Sequence, residues 1–73
     1  MVEKMKIQHT RGGKTISQIK EICKHLELEK EVTVIGLNNP DLYLRMIETE
    51  GVYAEAVKVD NGFVFKLFSP ENR

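Results

Sequence analysis

The chain has 73 residues, with 11 basic and 11 acidic side chains, so its net charge is zero. Hydrophobic residues make up 41% and charged residues 30% of the chain, which is typical of a small globular protein and excludes a disordered one. Zero net charge argues against a dedicated nucleic-acid-binding protein, because such proteins usually carry excess positive charge. Cys23 is the only cysteine, which excludes an internal disulfide bond and a cysteine cluster for zinc.

The size and the N-terminal sequence predict one cytosolic domain. Residues 1–73 are too few for two ordinary domains, and we expect an ordered core from about residue 5 to about residue 68. The first residues, Met1-Val2-Glu3-Lys4-Met5-Lys6, lack the apolar core of a secretory signal. No run of residues is apolar for long enough to cross a bilayer, and we therefore expect a cytosolic location.

The first predicted element is a β-strand from Met5 to Thr10, where apolar and polar residues alternate. His9 lies where this strand enters a glycine turn. We interpret it as a partly buried, hydrogen-bonded histidine, with a role in a binding site as the alternative. Thr15-Ile16-Ser17-Gln18 follows the turn and resembles a capping box, in which the Thr15 hydroxyl would accept a hydrogen bond from the N–H group of Gln18.

This capping box predicts a first helix from Ile16 to about Leu28. Apolar residues recur along one side of the helix at Ile16, Ile19, Ile22, Cys23 and Leu26. Cys23 lies on that apolar side, which predicts a buried thiol that behaves as a small apolar residue. A reactive cysteine would need an exposed and positively charged surrounding, which this position lacks.

The next segment, from Val32 to Leu37, is short, β-branched and almost entirely apolar, which predicts a strand in the interior of the sheet. A second helix is expected after Asn39, which would cap it, with Pro40 at its first position. We expect Leu42, Tyr43, Met46 and Ile47 to face inward, with Leu44 at the margin, and Gly51 to end the helix.

The last two predicted strands, residues 52–59 and 63–68, form a hairpin around Asp60-Asn61-Gly62. A three-residue loop with Gly62 in a left-handed bulge would pair Val59 with Phe63 and Val57 with Phe65. We prefer this register because it gathers the apolar side chains on one face, although it places Glu55 on that face too.

The order of elements, βαβαββ, predicts an α/β domain of the α+β kind. Each helix has one apolar side, and the sheet needs a cover for one face. We therefore expect a two-layer sandwich of a four-stranded mixed sheet with two helices on one face, and a right-handed parallel first crossover.

The expected binding site is the junction between the first strand and the first helix. Two glycines allow unusual backbone conformations there, the start of a helix is partly positive, and two cationic side chains lie beside it. The site residues are Arg11, Gly12, Gly13, Lys14 and Thr15, which together are suited to a carboxylate, a phosphate or a sulfur oxyanion. The alternative is a tight turn with two solvated cations.

A nucleotide-binding P-loop does not explain this junction. Gly13-Lys14-Thr15 would match the end of that motif, but the motif needs a glycine five positions before Gly13, where Gln8 stands. The sequence suggests no metal site, no cofactor and no catalytic residue.

The whole pattern resembles the TusA/SirA-like family of small cytosolic sulfur carriers, from about Lys6 to Phe68. Arg11-Gly12 matches the Arg-Gly that follows the first strand in that family, and Asn39-Pro40 matches its Asp-Pro at the second helix. Asn61-Gly62-Phe63-Val64-Phe65 resembles its closing Asp-Gly-x-x-x-Phe hairpin. The resemblance implies the same βαβαββ fold and a role in sulfur transfer.

The chain departs from the family at the motif that carries sulfur. The family places Cys-Pro-x-Pro where its first helix begins, and this chain has Thr15-Ile16-Ser17-Gln18 there. A threonine hydroxyl cannot take up a persulfide, because it has no accessible anion at neutral pH. The resemblance therefore implies a non-catalytic sulfur-carrier-like module that binds a protein partner or an anionic ligand at the Arg11–Thr15 loop.

Three other functions stay open from the sequence. One is a small RNA-binding module that uses Arg11, Lys14, Lys20 and Lys24. Another is an active sulfurtransferase that uses Cys23. The last is a homodimer or an adaptor that uses an open strand edge or an apolar face of the sheet. The sequence does not fix the oligomeric state.

Overall fold

The structure is a computed structural model that describes residues 3–10 and 13–68. In chain order the elements are β1 (Glu3–Gln8), α1 (Lys14–Lys24), β2 (Lys30–Ile35), α2 (Asp41–Thr49), β3 (Tyr53–Val59) and β4 (Gly62–Phe68). This is the predicted βαβαββ order. The predicted tail beyond residue 68 and the residues Arg11 and Gly12 of the predicted site lie outside the described residues.

The strands form one four-stranded mixed sheet in the order β1-β2-β4-β3. β1 and β2 are parallel, while β4 is antiparallel to both of its neighbours. The interior position of β2 confirms the prediction from its apolar run, because Val32 and Val34 are both fully buried between two neighbouring strands. The predicted two-layer sandwich is therefore correct.

Both helices contribute to a single core on one face of the sheet. α1 contributes Ile19 and Cys23 to this core, and α2 contributes Tyr43, Met46 and Ile47. The sheet contributes Ile7, Val32, Val34, Phe65 and Leu67. These strand residues lie in neighbouring register positions, where Val32 pairs with Met5 and Phe65, and Val34 pairs with Ile7 and Phe63.

The first helix begins two residues earlier than predicted, and the predicted capping box is wrong. α1 starts at Lys14, and Gly13 occupies the position before it with a left-handed φ of 79° and no side-chain cap. The Thr15 hydroxyl bonds to the preceding loop and strand, so it does not cap the helix. The helix also ends at Lys24 instead of Leu28: the N–H group of Leu26 bonds to the carbonyl of Cys23, only three residues back, and Leu28 is exposed.

The second helix begins and ends largely as predicted. The Asn39 side-chain oxygen accepts a hydrogen bond of 2.9 Å from the N–H group of Asp41. At the other end Gly51 has a left-handed φ of 80°. Its N–H group donates to the carbonyl of Glu48, and the N–H group of Val52 donates to that of Ile47, a pair of bonds that typically closes a helix.

One predicted inward residue of α2 is wrong. Leu42 is 61% exposed, whereas Tyr43, Met46 and Ile47 are buried and Leu44 lies at the margin of the core. Leu42 belongs to the first turn of the helix, where its side chain lines an open cavity instead of packing on the sheet.

The predicted register of the hairpin is also wrong. Val59 pairs with Gly62, so the loop has only the residues Asp60 and Asn61, and Gly62 begins β4 instead of forming a bulge. Ala56 then pairs with Phe65 on the core face. This register is better packed, because small alanines lie beside large side chains and Glu55 turns outward to solvent.

Candidate functional site

The predicted site lies at the edge of the sheet where the parallel strands β1 and β2 end and both helices begin. In α/β proteins, ligands commonly bind outside the carboxyl ends of parallel strands. The loops at this edge are held by two short backbone hydrogen bonds: the N–H group of His9 donates to the carbonyl of Ile35 at 2.8 Å, and that of Gly36 donates to the carbonyl of Asn61 at 2.7 Å.

Thr15 is buried at this edge and has no free hydrogen-bonding capacity. Only 1% of its surface is exposed. Its hydroxyl donates to the carbonyl of Gln8 at 3.0 Å and accepts from the N–H group of Thr10 at 3.0 Å, while the Thr10 hydroxyl lies 3.1 Å away. The Thr15 side chain therefore ties the start of α1 to the end of β1, and it is not available to a ligand.

Among the predicted site residues that the structure describes, Gly13 and Lys14 remain accessible. Lys14 is exposed, and the first turn of α1 contains no acidic residue to offset the positive end of the helix. A shallow cavity of about 300 Å³ lies beside it, lined partly by Lys6, Thr10 and Gln18. Lys6 was not among the predicted site residues, because it lies in the middle of β1 and it is the assembled fold that brings it to the same cavity as Lys14.

His9 is joined to Tyr43 of α2 by a hydrogen bond of 2.7 Å between Nδ1 and the phenol oxygen. This confirms that His9 is partly buried and hydrogen-bonded. Tyr43 is 1% exposed and stacks on Phe65 with ring centroids 5.6 Å apart. The pairing of His9 with Tyr43 was not predicted, because the two residues are 34 positions apart in the sequence and only the packing of α2 on the sheet brings them together.

The Tyr43 phenol stays protonated over the physiological pH range. Burial raises the pKa of Tyr43, and the nearby Thr15 hydroxyl offsets this only in part. The phenol can donate to an unprotonated Nδ1 or accept from a protonated Nδ1, depending on the tautomer of the His9 ring. In either case the hydrogen bond joins His9 and Tyr43 into one wall of the site.

A larger cavity of about 650 Å³ opens beside His9 and Tyr43, between the β2–α2 loop and the first turns of α2. Its lining includes Asn38, Leu42 and Arg45, of which all three side chains are exposed. Sequence reasoning did not assign this cavity. The sequence feature that could have indicated this cavity is the polar turn Asn38-Asn39-Pro40, which follows the strand β2 after Gly36 and Leu37.

Cys23 lies in the core, away from this edge. It is 6% exposed, which confirms the predicted buried thiol. Burial, followed by the nearby Glu50 carboxylate, raises the pKa of Cys23 from 9.0 to about 11. Because the thiolate is the nucleophilic form, a thiol in this surrounding is a poor nucleophile at neutral pH.

Within residues 3–10 and 13–68, no three His, Cys, Asp or Glu side chains lie together in a way that would hold a metal ion. Neither helix of this part of the chain is long and apolar enough to span a membrane.

Comparison with known proteins adds no relative to this description: no family model, no curated protein and no solved structure matches the chain. The resemblance to TusA/SirA-like sulfur carriers therefore remains a prediction from the sequence pattern.

Proposed function

We propose that this chain is a non-catalytic, sulfur-carrier-like module of the TusA/SirA kind that binds an anionic group at the start of α1. The group belongs either to a protein partner or to a small anionic ligand. The observation that carries the proposal is the helix start itself, where Gly13 leaves the first N–H groups without a side-chain cap and no acidic residue lies in the first turn.

Electrostatics around the helix start support an anion over a cation. Lys6 and Lys14 both line the adjacent cavity, and the positive end of the helix adds to their charge. In the sequence, Arg11 and Gly12 directly precede Gly13, and Arg11 would add a further cation. The proposed binding residues are therefore Arg11, Gly12, Gly13, Lys14 and Thr15, with Thr15 acting through its backbone only.

The side chains at the same edge support binding without covalent chemistry. Thr15 uses its hydroxyl within the chain, and Cys23 is buried with a raised pKa. An active sulfurtransferase is therefore less well supported than a binding module. We place the module in the cytosol, as the sequence predicts, and assign it no cofactor.

A titration of the ¹⁵N-labelled chain with inorganic phosphate, sulfate and acetate tests this proposal. We expect saturable amide shifts at Gly13, Lys14, Thr15 and Ile16. Lys14→Ala should weaken the binding several-fold, because it removes a charge next to the helix start. The matched control is Lys20→Ala, which removes an exposed lysine from the same helix beyond its first turn and should leave the affinity unchanged.

Absence of shifts at these four amides with all three anions would refute the anion-binding proposal. The same titration with a short single-stranded RNA distinguishes the alternative function. Salt-dependent shifts along Lys14, Lys20 and Lys24 that equal or exceed those at the helix start would favour RNA binding instead.

A further inference from the structure

The face of the sheet opposite the helices carries a row of charges that alternate in sign. The register pairs Lys4 with Glu31, Glu31 with Lys66, and Lys66 with Glu55, one residue from each strand. Along the strands these positions alternate with Val32 and Phe65, which are buried in the core, and with Ala54 and Ala56, which pack against it. The row therefore crosses the open face from β1 to β3 as Lys, Glu, Lys, Glu.

Next to this row the open face is mostly uncharged. The neighbouring row contains Lys6, Thr33, Val64 and Val57, and Val57 is 44% exposed. At the β3 edge Tyr53 is 52% exposed and lies with its ring centroid 5.5 Å from that of Phe68. Exposed apolar side chains grouped beside ordered charges are characteristic of protein–protein contacts.

Within the described part of the chain, none of the four charged residues of the row takes part in an ion pair. The ion pairs there join His25 to Glu21 and Lys30 to Glu3. Glu55 accepts only a long hydrogen bond of 3.4 Å from the Tyr53 hydroxyl. The four charges of the row are therefore available to a partner.

We propose that the partner is a second copy of this chain, packed face to face about a two-fold axis that runs parallel to the strands. Such an axis reverses the order of the strands in the facing copy. Each row of residues then lies opposite the same row of that copy. Lys4 then faces Glu55 of the other copy, and Glu31 faces Lys66 of the other copy. Every charge of the row meets its opposite, and each contact occurs twice.

The alternating order makes this arrangement specific. A two-fold axis perpendicular to the strands and centred on the row would place Lys4 on Lys4 and Glu31 on Glu31, which repel. The zero net charge of the chain removes the general repulsion that keeps highly charged proteins apart. Because both copies use the same face, no other protein with a complementary charge pattern is required.

The size of the face sets the strength of the dimer. Four strands spaced about 4.8 Å apart, with six residues of about 3.3 Å each, give a footprint of about 400 Å². This is below the roughly 800 Å² per partner of a standard stable interface. The dimer is therefore weak, and it forms at high micromolar to millimolar concentration and dissociates as salt is added.

Sedimentation velocity on the full chain over this concentration range tests the proposal. We expect the wild type to dimerise, and Glu31→Lys and Lys66→Glu each to weaken the dimer by about tenfold or more, because each reversal creates two repulsive contacts. An equimolar mixture of the two variants should dimerise again, because each now carries the charge that the other lacks.

The matched control pair is Glu48→Lys and Lys20→Glu, which make the same changes of net charge on exposed residues of the helices. Both control variants should dimerise with the same affinity as the wild type. A wild type that stays monomeric at millimolar concentration would refute the proposal, as would reversal variants that dimerise as the wild type does. Failure of the mixture to dimerise would refute the strand-parallel arrangement.

A measurement on the wild type alone covers the case in which a reversal variant fails to fold. Amide shifts that change with protein concentration should occur at Glu31, Thr33, Val64 and Lys66. Concentration-dependent shifts confined to the helices would overturn the proposal. None of these outcomes depends on anion binding at the start of α1, so the two proposals succeed or fail separately.

Discussion

Thr15 is the residue that connects the local geometry of the site to the stability of the fold. Its hydroxyl uses both a donated and an accepted hydrogen bond to join the start of α1 to Gln8 and Thr10. A buried polar group of this kind is stable only while its partners remain, and those partners are main-chain groups that then depend on it. The Thr15 side chain is therefore a structural element of this junction.

We predict that Thr15→Val, which keeps the shape of the side chain and removes the hydroxyl, lowers the free energy of unfolding by about 1–3 kcal/mol. The loss arises because the carbonyl of Gln8 and the N–H group of Thr10 lose their partner. Urea unfolding followed by circular dichroism measures it. Ser17→Ala, at an exposed position of the same helix, is the control and should change the stability by less than about 0.5 kcal/mol. Equal effects of the two substitutions would contradict this role of Thr15.

For single residues, the sequence predicts burial better than it predicts hydrogen-bond partners. The burial of Cys23 follows from the apolar side of its helix, and that of His9 from its place at the end of a strand. The partners of Thr15 do not follow, because the local sequence fits a capping box equally well. The choice between the two is made by how α1 packs against β1, which no short stretch of sequence contains.

At the scale of elements, the hairpin between β3 and β4 depends on one glycine. Gly62 pairs with Val59 and also lies directly beside the main chain of β2. A Cβ atom at this position would collide with the carbonyl oxygen of Val34. Glycine is therefore required there by the close approach of two strands in the middle of the sheet.

We predict that Gly62→Ala lowers the free energy of unfolding by roughly 3 kcal/mol or more, because the obstructing atoms belong to the backbone and cannot rotate away. Thermal and urea unfolding measure the change. Gly51→Ala is the comparison: Gly51 has a left-handed φ of 80°, but a Cβ there meets nothing within 4 Å. Its cost should be about 1 kcal/mol. A Gly62→Ala loss no larger than that of Gly51→Ala would contradict the close approach.

The order and type of the elements can be predicted from this sequence, but their register cannot. The apolar run of β2 and the caps of α2 are local signals, and both are confirmed. The hairpin offers two-residue and three-residue loops that differ by a single position, and a shift by one residue moves every side chain to the other face. Packing of Ala54 and Ala56 against Leu67 and Phe65 decides between them, and this depends on the assembled sheet.

For the whole molecule, the two-layer arrangement leaves two surfaces that we propose for recognition. One is the edge where β1 and β2 end beside the start of α1, and the other is the open face of the sheet. Of the first, the sequence predicts the junction of β1 with α1 and the exposed Lys14 but not the first residue of the helix, whereas Lys6 and the His9–Tyr43 pair depend on tertiary contacts. The charge row of the second is invisible in the sequence, because its four residues come from four separate strands.

We propose that this fold binds an anionic group at the start of α1 and that Cys23, its single cysteine, does not carry sulfur. The most direct test is to treat the native chain with cysteine persulfide as a sulfur donor at neutral pH and to measure its intact mass over time. We predict that native Cys23 gains no sulfur atom during the time in which the urea-unfolded chain gains one, because the buried thiol has a pKa of about 11. A native chain that gains sulfur on Cys23 as fast as the unfolded chain would contradict the claim.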